Sequence, residues 1–182
     1  ADELTTADKR ITLSATADNW AEFDVTTTAD VLVSTIEVTH DDAPLSIVVL
    51  GGVRDTAGSY MSSVASEGGR ITIEATLPVV EAIAMWQNER IEDVVINGNT
   101  ISVAIPRVAK RYERSSIRVF AASERGRFND VLLPLEFGAV VTEADQLRRT
   151  DHQAQILYSL MIDRFNNGNK ANDWKINSPE VL

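Results

Sequence analysis

The residues best suited to chemistry lie near the C-terminus, in the loop Asn166-Asn167-Gly168-Asn169-Lys170-Ala171-Asn172-Asp173. Amide and carboxylate oxygens are dense there, and hard cations such as calcium take oxygen ligands. The loop follows Asp163-Arg164-Phe165 and the apolar run Ile156-Leu157-Tyr158-Ser159-Leu160-Met161-Ile162. That run is long enough for one buried strand and too short to read as a helix. The same composition also suits an Asn/Gly turn whose side chains cap their own backbone. An EF-hand is excluded. Counted from Asp163, its third position would be Phe165 and its twelfth Trp174, where oxygen donors are required.

Other reactive residue types form no constellation. His40 and His152, the only histidines, are far apart in sequence and lack metal-ligand spacing. Asp41-Asp42 and Glu92-Asp93 are neighbours on turns or strand edges. A glycosidase pair must instead flank a sugar at roughly 5–9.5 Å. No nucleophile elbow accompanies the serines, and Gly51-Gly52 and Gly68-Gly69 match no phosphate loop. With no cysteine, disulfides and thiol chemistry are ruled out. Sugar rings stack on flat aromatic faces, which singles out Trp86 beside Gln87-Asn88-Glu89-Arg90, then Trp20, then Tyr60. Burial in a core is the alternative for each, and Trp20 fits it well.

The elements that must carry these residues read as strands. Ile11, Leu13 and Ala15 alternate with Thr12, Ser14 and Thr16, as Ile71, Ile73 and Ala75 do with Thr72, Glu74 and Thr76. Trp20–Thr28, Asp30–Thr39, Leu45–Leu50, Ser116–Ala122 and Val131–Leu135 add further strands. His40-Asp41-Asp42-Ala43-Pro44 is a turn. Asp93–Ile96 and Asn99–Ile105, joined by Asn97-Gly98, form the clearest hairpin, with a type I′ turn expected. Val79–Trp86 fits a strand or one short helix equally. Pro106–Arg114 is basic and suits a helical turn, and 51–69 reads as a long loop. The sum is nine or ten short strands and an antiparallel, immunoglobulin-like β-sandwich over 1–141, without the antibody disulfide. A solvated linker over 142–155 follows, and then 156–182.

A formal net charge of −10 argues against nucleic acid and anionic membranes as partners and is compatible with a neutral polysaccharide. No apolar run is long enough to span a membrane. Ala1-Asp2-Glu3 in place of a Met and a basic, apolar leader fits a processed, exported protein or an excised segment.

Tyr158–Asp173 resembles the first barrel strand and loop of the α-amylase superfamily, in which Y-x-x-x-x-D-R-F-x-N-G-[DN]-x-x-N-D recurs. It is most similar to the cyclomaltodextrinase and neopullulanase branch. Phe128-Asn129-Asp130-Val131-Leu132-Leu133-Pro134-Leu135 and Thr142–Gln155 resemble the passage from N-terminal sandwich to barrel in bacterial members. The resemblance implies a calcium site with Asn167, Asn169, Asn172 and Asp173 among its ligands. Asn169 stands where Asp is common, which implies weaker binding. It implies a secreted, periplasmic or cell-surface bacterial enzyme acting on α-1,4-glucans such as starch, maltooligosaccharides and cyclodextrins. The N-terminal domain would contribute substrate binding or a homodimer contact. The stretch Ala154–Leu182 is far shorter than the roughly 250 residues of a (β/α)₈ barrel. On that reading 156–182 is only the beginning of a catalytic domain, and the catalytic carboxylates are not in this chain. The competing expectation is a free-standing carbohydrate-binding or adhesion sandwich with no hydrolase activity.

Overall fold

A computed structural model describes residues 3–15, 23–40 and 43–143, all within the first of two units into which the chain divides, Ala1–Gln146. The sequence-predicted elements at 156–182, the 142–155 linker beyond Glu143, and Trp20 lie outside the described residues.

The described chain is all-β and every sheet is antiparallel. Its strands are β1 (Glu3–Thr5), β2 (Ile11–Ala15), β3 (Phe23–Thr27), β4 (Val33–His40) and β5 (Ala43–Leu50). Then come β6 (Met61–Glu67), β7 (Arg70–Ala75), β8 (Glu81–Trp86), β9 (Glu89–Ile91), β10 (Val94–Asn97) and β11 (Thr100–Ala104). A 3-10 turn, Arg107–Arg111, precedes β12 (Arg114–Ser123), β13 (Gly126–Arg127), β14 (Val131–Glu136) and β15 (Ala139–Val140). The count exceeds the nine or ten expected because β1, β9, β13 and β15 are two or three residues long, too short for alternation to show.

Two sheets share the main core. One has the order β10-β11-β7-β6, the other β15-β14-β12-β8-β9, with β13 also paired to β12. Alternation puts Ile71, Ile73, Ile101 and Val103 of the first against Ala84, Trp86, Ile117 and Leu135 of the second, and all are buried. The second sheet is covered on its other face too. There Ile83, Met85 and Ala122 meet Val33 of β4, with Val48 of β5 and Phe120 packed alongside. Beyond the β1-β4-β5 sheet lies the β2-β3 hairpin, where Ile11 and Leu13 meet Ile36, Val31 and Val49.

Two sequence expectations are corrected and one open alternative is settled. Residues 61–67 are strand rather than loop, paired with β7 through a Gly68-Gly69 turn in which both glycines have positive φ. A register shift between Met61 and Ser63 breaks the period-two signal, which hid the strand. The β10–β11 turn is Gly98-Asn99, because Asn97 pairs with Thr100. Gly98 carries φ +58 and Asn99 is not positive, which is the type II′ pattern rather than type I′. The segment 81–86 is a strand, which settles its helix-or-strand ambiguity.

Candidate functional site

The sandwich fixes the fate of the aromatic candidates. Trp86 ends β8 on the core side, paired with Ile117, and is only 6% exposed. It offers no flat face for a sugar, contrary to the sequence reading. Alternation turned it inward, and the polar Gln87-Asn88 turn beside it misled. Its indole Nε1 is buried without a hydrogen-bond partner. Tyr60 is 51% exposed, its backbone held by Thr76 through Tyr60 N to Thr76 Oγ1 at 3.0 Å and Thr76 N to Tyr60 O at 3.0 Å.

Two exposed aromatics escaped the sequence reading. Tyr112 (49% exposed) stands edge-on to Trp86, with ring centroids 5.4 Å apart and planes at 67°. Phe137 (50% exposed) donates its backbone N–H to the Tyr112 carbonyl at 3.1 Å. Its φ of +46 is a strained value for an aromatic residue. The available cue was a phenylalanine placed directly before Gly138, in a turn where solvent is the expected neighbour.

The densest ionic group lies between β8 and the N-terminal strands, beside a cavity of about 370 Å³ lined by Asp8, Arg10, Ser34, Glu81 and Arg90 among others. Arg10 donates to Glu81 Oε1 at 2.5 Å and to both Asp8 oxygens at 3.0 and 2.8 Å. The other Glu81 oxygen accepts the backbone N–H groups of Leu32 (3.0 Å) and Val33 (2.7 Å). Ser34 Oγ donates to Asp8 at 2.6 Å. The Arg10 hydrogen bond, opposed by burial and helped by Ser34, holds the Asp8 carboxyl far below its ordinary range. Asp8 first, and then Glu81, in turn raise Arg10. A carboxylate locked in its charged form with its oxygens engaged transfers no proton near neutrality. The arrangement ties strands together and does not make a reactive centre.

Among the described residues no three or more His, Cys, Asp or Glu side chains are grouped to hold a metal ion. The implied calcium ligands Asn167, Asn169, Asn172 and Asp173 lie outside the described residues. No helix among the described residues is long and apolar enough to cross a membrane. No family model, curated protein or solved structure matches the chain.

Proposed function

We propose that the chain is the N-terminal accessory domain of a bacterial α-amylase-like glycoside hydrolase acting on α-1,4-glucans. The observation that carries this reading is the Tyr158–Asp173 motif, which follows an all-β antiparallel domain in the sequence. The domain is an immunoglobulin-like sandwich, and 156–182 begins the barrel. The enzyme is exported and cleaves with retention, through a glycosyl-enzyme ester formed on carboxylates of later barrel strands. Calcium sits at the barrel's first loop, with Asn167, Asn169, Asn172 and Asp173 supplying part of its shell.

The accessory domain contributes substrate binding or a dimer contact, and the exposed aromatics favour the first. Tyr112 and Phe137, linked by the Phe137 N to Tyr112 O hydrogen bond, form an exposed aromatic pair with Trp86 packed against Tyr112, and Tyr60 is exposed separately beside Thr76. The same surface would serve a free-standing carbohydrate-binding module, and activity separates the two readings only in a longer chain. Affinity electrophoresis in soluble starch tests the shared part. The chain should migrate more slowly than in a starch-free gel, and Tyr112→Ala should recover most of the mobility. Unretarded migration of the unsubstituted chain removes glycan binding from the proposal. Release of reducing ends from starch by the 182-residue chain would contradict its being an accessory domain.

A further inference from the structure

We propose that a pocket formed by β5, β12, β13 and the 51–55 segment binds a small tetrahedral oxyanion, phosphate or sulfate, free or as a monoester. The pocket has a volume of about 180 Å³, with Leu50, Phe120 and Phe128 among its lining. Three arginines line it, Arg54, Arg118 and Arg127, together with Asn129 and a single acidic residue, Asp130.

The local charge is unbalanced. Arg118 donates to Asp130 Oδ2 through Nε at 2.7 Å and lies 2.6 Å from it through Nη2, so that carboxylate is largely committed. The Arg118 guanidinium also sits 5.2 Å over the Phe120 ring, which fixes its plane. Arg54 and Arg127 are brought together by the backbone as a parallel bridge pair. Arg127 N donates to Val53 O and Asp55 N donates to Arg127 O, each at 2.9 Å. Like charges on paired positions repel. Among the described residues neither arginine has a carboxylate within ion-pair distance, and Asp130 feels the charge of Arg54 only at longer range. The neighbouring carboxylate, Asp55, is occupied by Ser59 Oγ at 2.5 Å, Ala57 N at 3.0 Å and Arg125 at 3.2 Å.

The frame is rigid where it must be. Gly126 has φ +132, and a Cβ there would come within 2.6 Å of Val53 O, so the 53–55 segment can lie this close only against glycine. Arg127 Nε donates to Gly51 O at 2.8 Å, and Asn129 Oδ1 accepts Met61 N at 2.8 Å. Planar guanidinium forks match oxyanion geometry, and the pocket is too small for an extended polyanion. Although the chain carries net charge −10, screening over about 8 Å at physiological salt leaves the local arginines in control.

The test is calorimetric titration of inorganic phosphate into the chain at pH 7.5. A dissociation constant on the order of 1 mM is expected for so open a site. Arg54→Gln, which removes an exposed side chain with no hydrogen-bond partner among the described residues, should weaken it roughly tenfold or abolish it. Asp130→Asn removes the competing carboxylate and should strengthen it severalfold. Sulfate should compete and acetate should compete poorly. A sugar monophosphate binding as tightly as phosphate identifies the monoester as the ligand class, whereas binding of inorganic phosphate alone identifies the free ion. No heat with phosphate, or equal binding by the Arg54→Gln chain, overturns the site.

Discussion

Arg10 and Glu81, 71 positions apart, meet at 2.5 Å, and the second Glu81 oxygen receives the N–H groups of Leu32 and Val33. This one carboxylate fastens the start of β4 and the approach to β2 onto β8, a central strand of the larger sheet. Stability of the N-terminal strands therefore runs through a residue that looks, in sequence, like an ordinary strand-edge glutamate.

Replacing Glu81 by Ala leaves two backbone donors without an acceptor and takes from Arg10 one of its two hydrogen-bonded carboxylate partners. Lost charge-assisted hydrogen bonds of this kind cost about 2–3 kcal/mol. Urea unfolding should show a lower midpoint by a corresponding amount. Glu81→Gln keeps one acceptor oxygen and should lose less. Equal midpoints for wild type and Glu81→Ala would show that the tie contributes nothing.

Asp8 gives the fold an acid-sensitive component. Its carboxyl is depressed in the folded state, first by the Arg10 hydrogen bond. The stability it adds is therefore complete above the unfolded carboxyl value of about 4, and is lost as pH falls below that toward the folded value. Between pH 7 and pH 2, melting temperature should drop more steeply for the wild type than for Asp8→Asn. The gap between the two should narrow below about pH 4. A gap of constant size across that range contradicts the assignment.

Trp86 and Tyr112 should separate packing from binding. Trp86→Ala opens the core and should cost about 3–5 kcal/mol in urea unfolding. Tyr112→Ala gives up an edge contact and should cost about 1 kcal/mol. If Tyr112→Ala destabilises as much as Trp86→Ala, Tyr112 belongs to the core rather than to an exposed aromatic surface.

Much of the fold was legible where the sequence alternates. Ile11–Ala15 and Arg70–Ala75 appear as strands because each has one apolar and one polar face. Legibility ended where a strand is buried twice or bulged. In Ile83-Ala84-Met85-Trp86 both faces are covered, so period two vanishes and Trp86 looks like a loop-edge aromatic. At Met61 and Ser63 the register shift erased the pattern. Long-range pairings left no local trace at all. Arg54 beside Arg127, and Arg10 on Glu81, come from topology, and no window of neighbouring residues contains both partners. The loop 166–173, which is legible only as a motif, lies outside the described residues.

Calcium affinity should be weak in this chain. The proposed ligands Asn167, Asn169, Asn172 and Asp173 would supply fewer oxygens than the six to eight calcium takes, so calorimetry should give a dissociation constant no tighter than about 1 mM. Asn169→Asp adds a charged oxygen and should tighten it severalfold. Micromolar affinity would mean that the site is complete within these residues.

The most direct test of the accessory-domain reading is the sequence of the reading frame after Leu182. The expected result is a continuation of more than about 200 residues, in alternating strands and helices, with an Asp nucleophile and a Glu acid/base on later strands. A stop codon immediately after Leu182 would contradict it and leave the free-standing binding module in its place.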